Sequence, residues 1–158
     1  MFKINAHACI QCNPKTGFYE SIDVTAVVDE IRKHLHIVTV LETDEMLQYV
    51  NGIYIKGAEK YLSSIVVHNL RELRDWKGRP MYNNKVMNEI LSQFKYLTYV
   101  ETKEFDANID IINMKNGLYN WRTGEFFPHT PAYLSRIQIP VAYDPDATCE
   151  ILDEMIRD

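Results

Sequence analysis

Three stretches of the chain repeat apolar residues at three- and four-residue steps, the spacing that places them on one face of an α-helix. The first stretch follows Asp23, a residue suited to cap a helix N-terminus. The second follows Gly57, and the third begins at Asn83 or Asn84. The pattern therefore predicts three amphipathic helices. Their apolar stripes are Val24, Val27, Val28, Ile31 and Leu35; Leu62, Ile65, Val66, Leu70 and Leu73; and Val86, Met87, Ile90, Leu91, Phe94 and Leu97.

Short runs of β-branched and aromatic residues lie between and after these helices and are separated by turn residues, which is typical of β-strands. Asn51-Gly52, between two such runs, is a strong hairpin signal. The alternation of helices and strands predicts an α+β fold with small antiparallel sheets. The predicted strands are 37–40, 46–50, 53–55, 109–114, 118–121 and 126–128, with a further strand over 137–143 that Pro140 interrupts.

The organisation that we predict is a single domain over residues 23–147. Residues 1–22 are interpreted as an irregular N-terminal segment. Residues 148–158 have helical spacing of apolar residues and no Gly or Pro after them, so we interpret them as the start of a helix. That helix either docks on the domain's own core or begins a connection to a domain beyond Asp158, and the sequence alone leaves both alternatives open.

Composition limits the class of protein. With 158 residues, of which 46% are hydrophobic, the chain has the size of one globular domain. Its apolar runs are too short to span a bilayer or to form a signal peptide, so no membrane partner is expected. Three cysteines do not indicate a disulfide framework. We therefore expect an intracellular protein, in the cytoplasm of its host cell.

The net charge of −5 hides an uneven distribution along the chain. Residues 59–103 hold 8 Lys and Arg against 5 Asp and Glu, whereas residues 104–158 hold 4 against 10. Two helices that meet at a basic turn, followed by a hairpin, are the order of elements in a winged-helix-like DNA-binding unit. The predicted DNA-binding residues are Arg71, Arg74, Lys77, Arg79, Lys85, Lys95, Lys115 and Arg122.

A short cluster near the N-terminus contains side chains that can bind zinc. His7, Cys9 and Cys12 supply three ligands, but a structural zinc site normally has four. Cys149 or a second chain could supply the fourth. We predict no metal site, because a single Cys-x-x-Cys without a second pair is more often a pair of reduced thiols.

Several motifs in the second half of the chain occur in a specific order. They are INMKNGLYNWRTGE over residues 112–125, PHTPAYL over 128–134 and IQIPVAYDP over 137–145. Residues 36–39, Thr43-Asp44 and the hairpin at 49–54 precede them with matching spacing. The chain resembles the domain that precedes the superfamily 3 helicase module in phage, plasmid and poxvirus primase-helicases.

The resemblance implies a non-catalytic DNA-replication domain. It implies a primase or related module as one neighbour, an ATP-driven DNA helicase as the other, and a hexameric full-length protein. For this chain alone we expect a monomer or weak dimer. The sequence departs from the family pattern at Tyr119-Asn120, where an Asp commonly follows the Leu, so no role of that acid is carried over.

The helicase chemistry itself has no counterpart in these residues. No G-x-x-x-x-G-K-[ST] phosphate-binding loop occurs, so we expect no cofactor here, and ATP and Mg²⁺ are expected only for the helicase module. Two functions remain. The domain contacts DNA through its basic helices while it positions or oligomerises the helicase, or it is a protein-interaction collar without DNA contact.

Overall fold

The protein is described by a computed structural model over residues 3–147, without the side chains of Ala6 and His7. In this range the chain forms three α-helices and nine short strands, which confirms the predicted α+β class. The helices are α1 (Val24–Arg32), α2 (Ala58–Leu70) and α3 (Asn84–Tyr96). The strands are β1 (Ile10–Cys12), β2 (Tyr19–Ile22), β3 (Ile37–Val40), β4 (Glu45–Val50), β5 (Ile53–Lys56), β6 (Tyr99–Val100), β7 (Ile111–Met114), β8 (Gly117–Asn120) and β9 (Glu125–Phe127).

Two of the helices begin where the sequence predicted a capping residue. The Asp23 carboxylate accepts a hydrogen bond from the Ala26 backbone N–H at 3.0 Å, and the Asn83 side-chain oxygen accepts one from the Val86 N–H at 3.1 Å. Each bond satisfies a backbone donor that the first helical turn leaves without a partner. The start of α3 is therefore after Asn83, one of the two positions predicted.

The described residues form two hydrophobic clusters, and the larger one, the main core, lies between the three helices and the strands beside them. The apolar stripes predicted from the sequence supply most of it, with Phe94 of α3 the largest fully buried side chain. Met46 of β4 and Ile37 of β3 close the core on the sheet side. The helical members of the core are Val27, Val28, Ile31, Ala58, Leu62, Ile65, Val66, Leu70, Ile90 and Phe94.

The central sheet has the strand order β5-β4-β3-β6 and is not purely antiparallel. Strand β6 pairs in parallel with β3, a contact that the sequence did not predict. The chain leaves the sheet through α2 and α3 and returns at Tyr99–Val100, a strand too short to give a periodic signal. Buried Thr39 fixes the pairing, because its hydroxyl lies 2.9 Å from that of Thr98.

The interpretation of residues 1–22 as irregular was wrong for the part that the structure describes. Strands β1 and β2 pair as an antiparallel hairpin, and a 3-10 turn at Ala6–Cys9 precedes them. Ile4, Cys9 and Ile22 are buried in the same core as α1. These strands were missed because three or four residues do not show an alternating pattern, and their burial makes the segment part of the domain.

Strands β7, β8 and β9 form the predicted meander as a sheet of their own. The further strand predicted over 137–143 was wrong, because the structure has only a single bridge there, between Met114 and Ile139. Pro140 lacks the N–H that a longer ladder needs. The helix predicted over 148–158 lies outside the described residues.

The third sheet is fastened to the central sheet by a buried polar network around Asn113 of β7. The Asn113 amide nitrogen donates to the Gly52 carbonyl and to the Ser135 hydroxyl, both at 2.9 Å. His129 Nε2 lies 3.0 Å from Asn113 Oδ1 and 2.9 Å from the Met114 carbonyl. The two nearest neighbours of Nε2 are acceptors, which favours the tautomer with the proton on this nitrogen, and the Gln138 side-chain nitrogen lies farther away, at 3.5 Å.

A second contact across the same junction comes from Tyr54 of β5. Its phenol donates to the Pro131 carbonyl at 2.7 Å, and its backbone N–H donates to the Ser135 carbonyl at 2.8 Å. Burial, with a smaller effect of Tyr49, raises the pKa of Tyr54 to about 12. The phenol therefore remains a donor at physiological pH.

Gly52 allows this junction to close. Its φ of +94° is in the left-handed region, and a Cβ at this position would lie 2.6 Å from His129 Nε2. We predict that Gly52→Ala lowers the free energy of unfolding by about 3 kcal/mol, through backbone strain and overpacking. Urea denaturation of the two proteins measures the change.

Gly17→Ala is the matched control, because Gly17 also has a positive φ of +69° but has no atom within 4 Å of the added Cβ. It should cost about 1 kcal/mol, from backbone strain alone. Equal losses of unfolding free energy in the two variants would show that contact with His129 adds nothing to the cost of a Cβ at position 52.

Candidate nucleic-acid interface

The connection between α2 and α3 is longer than predicted. Helix α2 ends at Leu70, not near Leu73, and residues 71–83 separate the helices. We call these residues the basic loop. The loop is anchored at both sides, because Leu73 contacts the core, Met81 is buried in it, and the Met81 N–H donates to the Leu73 carbonyl at 3.1 Å. The predicted turn is therefore the tip of a short hairpin-like excursion.

Asp75 organises the tip of the basic loop. Its carboxylate accepts hydrogen bonds from the backbone N–H groups of Lys77 and Arg79, both at 2.8 Å, and from Arg79 Nε at 2.7 Å. Its own N–H donates to the Arg79 carbonyl at 2.9 Å. Burial alone would raise the pKa of Asp75, but these hydrogen bonds outweigh it, and the pKa lies below its ordinary value. Asp75 is therefore ionised, and it is the charged carboxylate that holds the loop.

The cations of the basic loop differ in how far they are neutralised. Arg79 forms a salt bridge with Asp75, so its charge is largely neutralised and it stabilises the loop. Arg71 and Arg74 share one carboxylate, that of Glu72, at 3.4 and 3.8 Å, which leaves one positive charge between them. Of the three arginines, the pair beside Glu72 retains more charge for a phosphate.

Lys77, at the tip, has no carboxylate partner among residues 3–147. Its ammonium lies 4.6 Å from the centre of the Trp76 indole, in a cation–π contact. Lys85, in the first turn of α3, is 85% exposed and lies 3.8 Å from Glu89. Exposed pairs of this length are weak, so both lysines are available to an anion.

Lys95 is placed differently from the other predicted residues. Its side chain is only 21% exposed, and its ammonium contacts Asp44 at 2.7 Å and Glu59 at 3.5 Å. The hydrogen bond with Asp44 is the main cause of a raised pKa of Lys95, and burial opposes it. Lys95 thus joins α3 to α2 and to the turn between β3 and β4, with little charge left for a ligand.

Lys115 and Arg122 lie in the two turns of the third sheet. Lys115 is exposed in the turn between β7 and β8. Arg122 donates to both carboxylate oxygens of Asp110, at 3.0 and 3.1 Å. Their hairpin follows the helices along the chain, as a wing does, but belongs to a separate sheet. The winged-helix-like interpretation therefore stays a prediction, because the order of elements fits it but strands β7–β9 form a sheet of their own.

A groove between β2, the basic loop and the first turns of α3 does not suit a phosphate. Its lining includes Arg79 and Lys85 but also the carboxylates of Glu20, Asp75 and Glu89. An anion in the groove would meet three like charges. The exposed tip of the loop, where Lys77 has no carboxylate partner among residues 3–147, is therefore better suited to an anion than the groove is.

The aromatic residue at the tip was missed by sequence reasoning. Trp76 is 53% exposed and stacks on Phe18 of the loop between β1 and β2, with 5.3 Å between ring centres and 16° between ring planes. A tryptophan beside a lysine in the Asp75–Gly78 turn was the available signal, but only the fold brings Phe18 to it.

The cysteines have different surroundings. Cys9 is fully buried and Cys12 is exposed. Burial, with the carboxylates of Glu30 and Asp23, raises the pKa of the Cys9 thiol, which disfavours the thiolate that binds zinc. Within the part of the chain that the structure describes, no three His, Cys, Asp or Glu side chains form a group that could hold a metal. His7's side chain and Cys149 lie outside that part.

Comparison with known families gives these observations a context. Residues 5–158 match the family described as D5 N-terminal like, the domain found before the helicase module in primase-helicase proteins. The chain belongs to this family. The resemblance inferred from the sequence is thereby confirmed, and the context is that of a replication primase-helicase. A search of curated proteins found no match.

The D5 N-terminal-like region includes the β1–β2 hairpin, the basic loop and the third sheet, so all eight predicted cations fall within it. Over residues 3–147, this D5 N-terminal-like domain has no helix long and apolar enough to cross a membrane.

The basic loop of this D5 N-terminal-like domain should depend on the charge of Asp75. We predict that Asp75→Asn removes hydrogen-exchange protection from the backbone N–H groups of Lys77 and Arg79, because the neutral amide is a weaker acceptor. Amide exchange measured by NMR tests this. The folded-state pKa is lowered, so in the wild type protection is present above the ordinary carboxyl pKa of about 4 and is lost as pH falls through the lowered value.

Asp110→Asn is the control for a lost carboxylate–arginine pair, because Asp110 holds Arg122 on the third sheet. It should leave the amides of the basic loop unchanged. Protection that persists in Asp75→Asn, or is lost equally in Asp110→Asn, would contradict the role assigned to Asp75.

Proposed function

We propose that this D5 N-terminal-like domain contacts DNA through the basic loop and the first turn of α3, and so positions a helicase module on its substrate. The observation that carries the proposal is the local charge. Residues 71–85 contain five cations, counting Lys and Arg, against two carboxylates. Counterion release depends on the charges near the phosphates, so the acidic total of the chain does not oppose binding.

The rigidity of the basic loop supports the same proposal. Core contacts at Leu73 and Met81 and the hydrogen bonds of Asp75 hold the backbone before any ligand arrives. A surface that is ordered beforehand loses less conformational entropy on binding. The cations can then meet phosphates without folding of the loop.

Phosphate contacts of this kind carry little sequence information. Long, exposed side chains on a loop tip reach the backbone more readily than base edges in a groove. We therefore expect weak binding with slight sequence preference and a steep dependence on salt. Such binding suits a domain that travels with a helicase along many sequences.

Fluorescence anisotropy with labelled oligonucleotides tests the DNA contact. If about three phosphates are neutralised, the affinity should fall roughly 40-fold between about 50 and 200 mM salt. Replacing Arg71, Lys77 and Lys85 together by Glu should weaken binding and remove most of the salt slope, which is about 2.7 for three phosphates.

Lys103→Glu is the control for a reversed charge elsewhere, since Lys103 is exposed in the 3-10 turn after β6 and pairs with Glu101. It should leave binding nearly unchanged. If the wild-type chain binds no single-stranded, duplex or forked DNA at low salt, the proposal of a DNA contact is wrong. An unchanged triple variant would place the contact on another surface.

A second function, a protein-interaction collar, is favoured by exposed apolar side chains around the third sheet. Ile109 is 82% exposed and Ile137 is 70% exposed. Apolar surface of this kind commonly marks a protein interface when it is contiguous. Trp121, Phe126, Phe127, Ile139 and Val141 are also exposed in the same part of the chain.

Light scattering tests the collar candidate. We expect the 158-residue chain to be a monomer or weak dimer, and replacing Ile109 and Ile137 by Ser should shift any dimer toward monomer. Leu41→Ser is the control, because Leu41 is an exposed apolar residue after β3. A stable hexamer of this chain would show that the domain alone builds a ring.

A further inference from the structure

The stacked pair Phe18–Trp76 is an aromatic surface at the tip of the basic loop. Both rings are about half exposed, and they lie nearly parallel with 5.3 Å between their centres. Every nucleobase has a flat π-face that can extend such a stack. The pair therefore has the geometry of a platform on which an unpaired base can lie.

The backbone around both rings is tied down. The Trp76 N–H donates to the Tyr19 carbonyl at 3.3 Å, which joins the basic loop to the β1–β2 hairpin. The Phe18 carbonyl accepts a hydrogen bond from the Asn13 N–H at 2.9 Å. Asp75, next to Trp76, fixes the turn from the other side. The two rings are thus held by different parts of the chain in one fixed arrangement.

The charge beside the platform favours a nucleic acid over an apolar partner. The Lys77 ammonium contacts the indole and has no carboxylate partner among the described residues, so it can move to a phosphate when a base stacks. Arg71 and Arg74 add further positive charge nearby in the chain, reduced by Glu72. Glu20, in the neighbouring groove, pairs with the Asn13 side chain.

Trp121, the other exposed tryptophan, lacks the unpaired cation that lies beside Trp76. Trp121 also has a cation over its ring, Arg122 at 5.1 Å. That guanidinium is held by Asp110, and the indole N–H donates to the Ile109 carbonyl at 3.1 Å. The charge at Trp121 is therefore neutralised. On the same sheet Tyr143 stacks on Tyr119 and on Phe126, with 4.7 and 4.9 Å between ring centres, but among residues 3–147 Trp121 itself stacks on no other ring.

We propose that the Phe18–Trp76 pair is a base-stacking platform that makes this domain prefer single-stranded nucleic acid to duplex. The inference rests on the proposed DNA contact and adds the strand preference to it. In a duplex the bases are stacked on one another and cannot lie on the rings. In a single strand the bases are free to do so while Lys77 and its neighbours meet the phosphates.

The test compares variants of Trp76 in the full chain, with a single-stranded oligonucleotide and a duplex of equal length. Trp76→Leu keeps an apolar side chain but loses the π-face, and it should weaken single-strand binding about tenfold while it changes duplex binding less than about twofold. Trp76→Phe should recover most of the affinity. Trp121→Leu is the matched control and should change neither.

A spectroscopic measurement distinguishes stacking from mere proximity. In a Trp121→Phe background the only indole is Trp76. Single-stranded oligonucleotide should quench its fluorescence, and duplex should quench it much less. Thermal denaturation of Trp76→Leu checks that the fold is retained.

The outcomes distinguish the base-stacking platform from the charge-mediated DNA contact on which it rests. If Trp76→Leu weakens single-strand and duplex binding equally, or changes neither, the platform is wrong while the charge-mediated contact stands. Binding without quenching of Trp76 overturns the platform in the same way. If the wild-type chain binds no DNA at all, both proposals fail.

Discussion

One buried amide, that of Asn113, joins the two halves of this domain. Its nitrogen donates across the junction to the Gly52 carbonyl, and its oxygen faces the His129 imidazole. Asn113 is only 6% exposed, so its amide nitrogen and oxygen are shielded from water. Each would be left without a hydrogen bond if its partner across the junction were absent. The third sheet docks on the β4–β5 hairpin through this network, through the hydrogen bonds of Tyr54, and through an apolar cluster that includes Leu134, Tyr54 and Leu47. The residues that carried the family resemblance therefore have a structural role in this chain, as the builders of this junction.

Asp75 does in the basic loop what Asn113 does at the junction. A single side chain satisfies several backbone groups that no helix or strand can reach. The consequence is a surface excursion with a defined shape, which presents Trp76 and Lys77 at its tip. A long loop between two helices thereby has a defined shape without a ligand.

Pairing, more than the number of basic residues, decides which cations can meet a phosphate. Lys95, Arg79 and Arg122 are each held by short contacts to carboxylates. Lys77 and Lys85 keep most of their charge, because the first has only an indole beside it and the second a distant glutamate. Of the predicted cations in this D5 N-terminal-like domain, those that keep most of their charge are therefore Lys77 at the tip of the basic loop, Lys85 at the start of α3 and the exposed Lys115 between β7 and β8.

The sequence by itself determined the three helices, the β4–β5 hairpin, the β7–β9 meander and the family. Helix faces and Asn-Gly turns are local patterns, and local patterns are visible along the chain. It also determined which segment is basic. Only the tertiary structure decided the parallel pairing of β3 with β6, the inclusion of the N-terminal hairpin in the core and the meeting of Phe18 with Trp76. Each of these contacts joins residues far apart in the chain. Whether a basic residue is free or paired depends on the carboxylate that the fold brings to it, and for Lys95 that is Asp44, which no local pattern places beside it.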